Sequence, residues 1–302
     1  MKKYSRELPC SDTVTKACED FCSIHPKASL LIIGNTILGK SIPAISVGNP
    51  NSSKTYLYVG GHHGSEWITV TLLLNFIEEL SDKLKGNKIF GIDREYYTAS
   101  RRIIIIPGLN LDGIDLSING IEQDNVMYDR LVRINGGEDF TKWKANARGV
   151  DLNHNYNAGF AEYKDIEKEN GKEYGAPSGY SGTEPESEPE TAALCKLIRI
   201  TEPHSLITLH AQGEEIYCSS CGKTNNSHEK TARIIARMTG YSFSYPEGTA
   251  SYGGLTDWFI KEYGKPAFTI ECGKGTNPLP FENAYFIYLQ LRELLFRFPY
   301  IV

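Results

Sequence analysis

The sequence predicts one α/β domain: a mixed, mostly parallel, twisted central sheet of about eight strands with helices on both faces. Two observations favour this class. Helix-like and buried strand-like runs alternate along the 302 residues, which is typical of a sheet built largely from parallel strands. The stretch RRIIIIPG at 101–108 contains an unbroken β-branched run, as expected of a central strand covered on both faces. No linker divides the chain, so we expect one globular unit.

The first half of the chain contains three more predicted strands and one helix. Residues 29–34 and 41–48 are strand-like on either side of a short connection and predict a hairpin-like pair. Residues 54–61 form a predicted strand that ends in two glycines. The apolar run at 66–84 is too long for a strand and ends in charged residues, which predicts a buried helix.

The second half begins with a long segment, 112–183, that is rich in Gly, Asn, Asp and Tyr and weakly periodic. It predicts long ordered loops, which in a compact domain are usually functional. Helices and strands alternate again after it. They are a helix at 184–200, a strand at 205–210, a helix at 227–240, a strand at 265–272 and an amphipathic closing helix at 281–298.

The composition excludes some classes of protein. The formal net charge is −5 and the charges are scattered, so a broad basic surface for nucleic acid is not expected. No run of about 18 apolar residues occurs, so no membrane span is predicted. The start, MKKYSRELPC, lacks the apolar stretch of a secretory signal. We therefore predict a cytoplasmic protein, with release on lysis or sporulation as the alternative.

The seven cysteines fit a reducing compartment. Cys218 and Cys221 have CxxC spacing, but no second pair accompanies them. Because a lone CxxC is weak evidence for zinc or redox chemistry, we interpret both residues as ordinary thiols.

One short stretch, YVGGHHGSEW at 58–67, carries metal-ligand side chains directly after a predicted strand. His63 and Glu66 are three residues apart on a turn that enters a helix, so an imidazole and a carboxylate could reach one ion. Open α/β sheets place their ligands at such strand ends. Imidazole and carboxylate are a typical zinc pair, and a catalytic zinc needs a third protein ligand and an open position. On spacing alone, a hydrogen-bonded helix start explains the pair equally well.

The best candidate for a third ligand is His210, because it also lies at the end of a predicted strand, SLITLH. His204 precedes that strand and is expected at the opposite edge of the sheet. The other histidines stay open as competitors: His25, His62, His154 and His228.

Two further stretches could supply the remaining groups of a zinc hydrolase. Glu271 lies near the end of an apolar strand, where a carboxylate must be paired or functional, and it could act as general base for a water molecule. The alternatives are a glutamate that faces solvent at the edge of the sheet and one that forms an ion pair with a nearby lysine. The loop at 142–160 offers Lys144 and Arg148 as cations for a developing oxyanion. Asn153 and Asn155 in the same loop could position a polar substrate. Turn formation alone also explains its composition.

Together these stretches resemble the zinc metallocarboxypeptidases, the family typified by carboxypeptidase A. The order of motifs is the same: HxxE, then GVDLNxN, then a histidine and finally a glutamate at strand ends. Three more stretches match motifs of that family in their position and in the character of their residues: NLDG at 110–113, SGTEPESEPET at 181–191 and YGGLTDW at 252–258. Several motifs in order are far more specific than one. The resemblance covers about residues 50–298 and implies a catalytic domain at 50–302, on which the segment 1–49 packs.

Within that family, HAQGEEIY and FTIECGKGTNPLP look most like stretches of the bacterial γ-D-glutamyl-L-diamino-acid endopeptidases, which cut between γ-D-glutamate and diaminopimelate in peptidoglycan peptides. The resemblance implies Glu271 as general base and Lys144 as the cation that polarises the carbonyl, with Arg148 as the fallback. It implies a small peptide substrate derived from the cell wall and leaves the oligomeric state unknown. It also implies one zinc ion per chain, with three ligands: His63, Glu66 and His210.

The resemblance also separates the two adjacent histidines. Its register selects His63 as the ligand, so we expect His62 to point away and to support or pack against the site.

Two departures from the carboxypeptidases bear on the substrate. Those enzymes hold a terminal carboxylate with an Asn-Arg pair and a mobile tyrosine, but here Asn153 is followed by His154. Guanidinium grips a carboxylate bidentately and a mostly neutral imidazole does not. The place of the tyrosine falls near Thr249, and Tyr252 is displaced from it. Four residues are the substrate-binding candidates: Asn153, His154, Tyr252 and Thr256.

These departures favour an amide bond in peptidoglycan-derived peptides as the substrate. One alternative is an ordinary metallocarboxypeptidase that removes C-terminal residues. Others are a zinc deacylase of the aspartoacylase type and a zinc-binding module without activity. Trp67, the GVDLN loop and Glu271 favour a peptidase, and an inactive module has no need of a base.

Overall fold

The structure, a computed structural model, describes residues 7–172 and 174–302. The helices are α1 Ser11–Ile24, α2 Ile68–Leu84, α3 Arg94–Ala99, α4 Leu111–Asn119, α5 Tyr128–Asn135, α6 Phe160–Glu169, α7 Pro189–Thr201, α8 Asn226–Thr239, α9 Leu255–Tyr263 and α10 Ala284–Ile301. The strands are β1 Ser29–Asn35, β2 Ser41–Gly48, β3 Thr55–Val59, β4 Lys88–Ile89, β5 Ile92–Asp93, β6 Arg102–Ile106, β7 Ser205–His210, β8 Glu215–Tyr217, β9 Ser219–Ser220, β10 Lys223–Thr224, β11 Ser242–Phe243 and β12 Ala267–Glu271.

Eight strands form the central sheet in the order β1-β2-β6-β3-β7-β12-β8-β11. Four of the seven neighbouring pairs are parallel, including the three central ones, and three are antiparallel. The sheet is therefore mixed and mostly parallel, which confirms the predicted fold class.

Alternate residues of the central strands enter two separate cores. On β3, Tyr56 and Tyr58 pack with α1, α2 and α10 on one face, while Leu57 and Val59 pack with α7 and α9 on the other. All four side chains are buried. A strand covered on both faces has no polar face, which is why the residues in the middle of these central strands are mostly apolar.

The sheet order brings the functional segments together. Strand β7 lies between β3 and β12, and all three are parallel. Their carboxyl ends therefore meet at one edge, where open α/β sheets bind ligands. His63 follows β3, His210 ends β7 and Glu271 ends β12.

The predicted strands and helices outside the segment 112–183 are confirmed, with shifts at their ends. The largest shift is at the predicted helix 184–200, which begins at Pro189. Proline favours the first helical position because the N–H it lacks would have no partner there. The predicted helix 66–84 begins at Ile68, after a short 3₁₀ turn, Gly64–Glu66. Helices α1 and α3 and the short strands had no predicted counterpart.

The prediction of long loops at 112–183 was wrong in part, because three helices lie in or at the edge of this segment. The side chain of Asn110 caps α4 by accepting a hydrogen bond from the Gly113 N–H at 3.0 Å. Gly136, which has a φ of 75°, directly follows the last residue of α5 and terminates the helix. Helices α5 and α6 span eight and ten residues. Such short helices repeat the 3.6-residue period too few times to give a clear pattern.

The N-terminal strands β1 and β2 belong to the central sheet through β6, and α1 packs on α2. The division after residue 49 stays a prediction. Within residues 7–172 and 174–302, no helix combines the length and the apolar character needed to cross a bilayer.

Candidate metal centre and catalytic cleft

The loop after β3 is clamped to the segment that carries Lys144. The Gly64 N–H donates to the Lys144 carbonyl at 3.0 Å, and the Ser65 N–H donates to the Trp143 carbonyl at 2.7 Å. A Cβ on Gly64 would lie 2.2 Å from the Gly113 carbonyl oxygen, so only glycine fits between these segments. This close packing fixes the backbone on either side of His63.

His63, Glu66 and His210 converge at the carboxyl edge of the sheet. The Nδ1 of His63 lies 2.9 Å from Glu66 Oε1, and the Nδ1 of His210 lies 3.2 Å from Glu66 Oε2. One ligand atom from each residue lies within 4.8 Å of the other two, and all three side chains are buried. This is the one group of three such residues with metal-site spacing found in the described part of the chain.

The chemistry of this group fits a divalent cation. The buried Nδ1 of His63 has no hydrogen-bond partner among the described residues, although a carboxylate oxygen is close. Burial alone would lower the pKa of His63, but Glu66 and Asp151 outweigh it and raise the pKa to about 10. A cation held by these atoms would give Nδ1 its partner and replace the proton. Two imidazoles and one carboxylate are a known ligand set for catalytic zinc.

Asp151 supports the ligand His63, and sequence reasoning missed this role. The Nε2 of His63 donates to Asp151 Oδ1 at 2.9 Å, and the Gly179 N–H donates to Asp151 Oδ2 at 2.8 Å. A carboxylate on the second ring nitrogen orients a metal-binding histidine. The available signal was the aspartate of GVDLN, an acid two residues before Asn153 in a loop already assigned to the site.

His62 lies outside the ligand set, as expected. Its Nε2 is 3.0 Å from the Tyr156 hydroxyl and its Nδ1 is 3.3 Å from Thr208 Oγ1. Its ring centroid lies 5.2 Å from that of His210. Burial and the neighbouring histidines hold the pKa of His62 well below its ordinary range, so it packs against His210 as a neutral ring.

Glu271 is placed beside this group by strand pairing. It lies directly opposite His210 in the parallel register of β12 and β7. It also lines the cleft next to the three ligands. Burial, reinforced by Glu66, raises the pKa of Glu271 to about 8. Its carboxylate can therefore take up a proton near neutral pH.

Lys144 and Arg148 are separated by the structure. The Nζ of Lys144 lies 2.8 Å from Glu66 Oε1 and lines the cleft. The charge of Glu66 raises the pKa of Lys144, against the effect of burial. Arg148 is half exposed, lies 3.7 Å from Glu188 Oε2, and is not among the residues that line the cleft. Of the two predicted cations, only Lys144 is brought to the metal group.

The four predicted substrate-binding residues all line the cleft, which has a volume of about 370 Å³. Asn153 Oδ1 accepts a hydrogen bond from the Leu255 N–H at 3.2 Å. The Thr256 hydroxyl lies 2.7 Å from that of Thr269. His154 Nδ1 bonds to the Tyr252 carbonyl at 2.9 Å. The structure thus brings these candidates together, and their part in substrate binding stays a prediction.

The two cysteines of the CxxC stretch are free thiols. Cys218 is buried, and burial raises the pKa of its thiol to about 12. Neither belongs to a metal group within the described residues. Their interpretation as ordinary thiols stays a prediction.

A sequence profile of zinc carboxypeptidases, peptidase family M14, matches residues 14–292. The chain belongs to the zinc carboxypeptidase family. In this family a His-Glu-His triad holds zinc, and here the triad is His63, Glu66 and His210. The chain is therefore a zinc metallopeptidase, and the predicted family and cofactor are confirmed.

Two relatives and one solved structure show how far the likeness of this chain to other proteins extends. Uncharacterized protein YqgT of Bacillus subtilis (strain 168) is 34% identical over 288 residues, which are 94% of this chain and 75% of that protein. Gamma-D-glutamyl-L-diamino acid endopeptidase 1 of Lysinibacillus sphaericus is 32% identical over 259 residues, which are 85% of this chain and 63% of that protein. This chain thus spans three quarters of one relative and less than two thirds of the other.

The fold matches bovine thrombin-activatable fibrinolysis inhibitor, whose structure was determined with tick carboxypeptidase inhibitor. The TM-score is 0.69 at 18% identity, over 99% of this chain and 97% of that one. This likeness shows a shared fold.

Proposed function

We propose that this zinc peptidase hydrolyses the amide bond between γ-D-glutamate and a diamino acid, such as diaminopimelate, in peptides derived from peptidoglycan. The observation that carries the proposal is the state of His154 in the cleft. Similarity to the gamma-D-glutamyl-L-diamino acid endopeptidase 1 of Lysinibacillus sphaericus supports it.

His154 occupies the position at which the carboxypeptidases carry the arginine that grips a terminal carboxylate. Its Nδ1 is bonded to the Tyr252 carbonyl at 2.9 Å. Its ring stacks on Tyr163, with centroids 4.0 Å apart and planes within 11°. Burial lowers the pKa of His154. A neutral ring that is already engaged on one nitrogen and one face cannot form a bidentate ion pair with a carboxylate. Removal of ordinary C-terminal residues is therefore disfavoured.

The reaction needs a Lewis acid, a general base and a cation that stabilises the developing negative charge. The chemistry that zinc supplies when bound is Lewis-acid polarisation of the scissile carbonyl and of a water molecule. Glu271 accepts a proton from the attacking water as general base. It then donates that proton to the nitrogen of the leaving amine, which completes the hydrolysis.

Lys144 is the donor for the oxygen of the scissile carbonyl. Its ammonium lies beside Glu66, the ligand residue whose carboxylate is close to both histidines. A charged donor fixed in a partly buried site stabilises negative charge on that oxygen far better than a donor in water does. The half-exposed Arg148 is not needed for this role.

The test is to incubate the zinc-loaded full chain separately with L-Ala-γ-D-Glu-diaminopimelate and with a plain α-linked peptide, and to identify the products by mass spectrometry. We expect free diaminopimelate and L-Ala-D-Glu from the first peptide. Glu271→Gln with the same zinc content is the control for contaminating peptidases. Cleavage of the plain peptide alone would overturn the proposed substrate.

A cytoplasmic location also stays a proposal. An enzyme in the cytoplasm would act on wall peptides that the cell has taken up, and release on lysis or sporulation would bring it to the wall itself. Fractionation of cells at different growth stages would distinguish these two cases.

A further inference from the structure

A second cavity opens beside the catalytic cleft. This side chamber has a volume of about 250 Å³. It shares four lining residues with the cleft: His63, Lys144, His154 and Thr249. A metal ligand and the proposed carbonyl donor therefore lie where the two cavities meet. A peptide whose scissile carbonyl contacts Lys144 would extend into the cleft on one side of the bond and into the side chamber on the other.

The position of Glu271 decides which side of the peptide enters which cavity. Among the described residues, Glu271 lines the cleft and does not line the side chamber. In the proposed reaction Glu271 gives a proton to the leaving amine, so the residue that carries this amine lies in the cleft. The acyl residue then extends past Lys144 into the side chamber. In a γ-linked peptide, that acyl residue is a glutamate with a free α-carboxylate.

The acidic residues of the side chamber are already engaged. Glu167 Oε2 accepts hydrogen bonds from the N–H and the hydroxyl of Ser181, both at 2.6 Å. Glu167 Oε1 pairs with Lys164 at 2.6 Å. Asp151 is bonded on both carboxylate oxygens, one of them to His63. The carboxylates in the wall are thus held by other groups.

Among the described residues, Lys172 is the one basic residue that lines this chamber and does not line the cleft. Its backbone N–H donates to the Glu167 carbonyl at 3.2 Å just after α6, which fixes the base of the side chain. Its Nζ lies against Gly179, where an added Cβ would be only 2.5 Å away. Within residues 7–172 and 174–302, no ion pair involves Lys172. A partly buried ammonium with no counter-ion in that part of the chain is suited to binding an anionic group.

We propose, on the basis of the proposed function, that Lys172 determines specificity by binding the free α-carboxylate of the γ-linked D-glutamyl residue. An α-linked peptide with a neutral side chain before the scissile bond has no carboxylate at this place, because its α-carboxyl group forms the scissile amide. The side chamber thereby distinguishes a γ-glutamyl bond from a peptide bond that follows a neutral residue.

The experiment combines enzyme variants with substrate variants. kcat/KM is measured for zinc-loaded wild type, Lys172→Met and Lys172→Arg. The substrates are L-Ala-γ-D-Glu-diaminopimelate and the same peptide with the glutamate α-carboxylate converted to a carboxamide. Lys168→Met, an exposed lysine on α6 that does not line the chamber, is the matched control. Melting temperatures show whether each variant is folded.

We expect wild type to prefer the carboxylate peptide by about tenfold to hundredfold, the range for a hydrogen bond to a charged group. Lys172→Met should lose most of that preference, Lys172→Arg should keep part of it, and Lys168→Met should retain it. Equal kcat/KM of wild type on both γ-peptides would overturn the assignment of Lys172 and leave the proposed function standing. Cleavage of neither γ-peptide by wild type would overturn both.

A third substrate tests which carboxylate is recognised. L-Ala-γ-D-Glu-L-Lys lacks the second carboxylate of diaminopimelate but keeps the glutamate α-carboxylate. Lys172→Met should lower kcat/KM on this peptide as strongly as on the diaminopimelate peptide. An effect that disappears with the lysine peptide would place the bound carboxylate on the leaving side and contradict the assignment.

Discussion

Glu271 lies directly opposite His210 at the carboxyl ends of the adjacent parallel strands β12 and β7. The proposed base and a zinc ligand are therefore neighbours through the backbone register of the sheet, and no flexible loop lies between them. The same strand end pairs Glu271 with Glu215 on its other side. Sites built on strands keep their groups in a fixed relation, so substitution of His210 or Glu271 should change activity without changing the fold.

Glu271→Gln should lower kcat by about 10²- to 10⁴-fold, the usual contribution of a general acid-base residue. The amide keeps the size of the side chain but cannot take up the proton. Zinc content, measured by metal analysis, should stay at one ion per chain. Glu262→Gln, at an exposed position of α9 that does not line the cleft, is the control and should leave kcat within a few-fold. Substantial activity in a zinc-loaded Glu271→Gln protein would sink the role given to this residue.

Asp151→Asn should weaken zinc binding by about tenfold to hundredfold, as substitutions behind metal ligands do. The His63 ring would then donate to a neutral oxygen instead of a carboxylate. Competition with a chromogenic chelator measures the affinity. Asp165→Asn, on an exposed part of α6, serves as the control. Unchanged affinity in Asp151→Asn would mean that its bond to His63 does not tune the metal site.

Lys144→Met and Arg148→Met should differ sharply in their effect on kcat. Removal of one preorganised donor to a developing oxyanion costs about 10²- to 10³-fold in kcat, so Lys144→Met should show a loss of this size with a smaller change in KM. Arg148 contacts Glu188 outside the cleft, and its substitution should change kcat only a few-fold. The reverse order of the two effects would assign the role to Arg148.

Glu190 should make stability depend on pH. Burial raises its pKa from 4.5 to about 7. Between these two pKa values the unfolded chain loses the proton of Glu190 while the folded chain keeps it. The free energy of unfolding therefore falls as pH rises, and the stabilisation that comes from the protonated Glu190 is lost above about pH 7. The decrease is at most about 3 kcal/mol, at about 1.4 kcal/mol per pKa unit.

Glu190→Gln has no proton to exchange and should flatten this dependence. Urea unfolding in excess zinc at pH 5 and pH 8, for both proteins, measures the two differences. Asp257 has a similarly raised pKa and is present in both, so the comparison isolates Glu190. Identical pH slopes in the two proteins would contradict a buried, protonated Glu190.

The metal group could be predicted from the sequence because its histidines lie at or after the ends of predicted strands. His63, His210 and Glu271 each lie at or after an apolar run, and parallel order brings such ends together. The role of Asp151 could not be found this way, because its contact with His63 spans 88 residues and depends on how a loop folds back. Lys144 and Arg148 could not be separated for the same reason.

Long-range contacts also explain what was missed in the fold. Helix α5 is only eight residues long and has one fully buried side chain, Leu131. That residue packs in a small separate core with Trp143 and Phe140. A helix of this length depends on such tertiary contacts for its stability, and its eight residues lie within a segment whose composition predicts loops.

The most direct test of specificity for the γ-glutamyl bond is a competition between two substrates in the same reaction. The zinc-loaded chain is given equal amounts of L-Ala-γ-D-Glu-diaminopimelate and its α-linked isomer, and the initial consumption of each is followed by mass spectrometry. The ratio of the two rates gives the ratio of kcat/KM directly. We expect the γ-linked peptide to be consumed first, with diaminopimelate as a product. Equal consumption, or faster loss of the α-linked isomer, would contradict it.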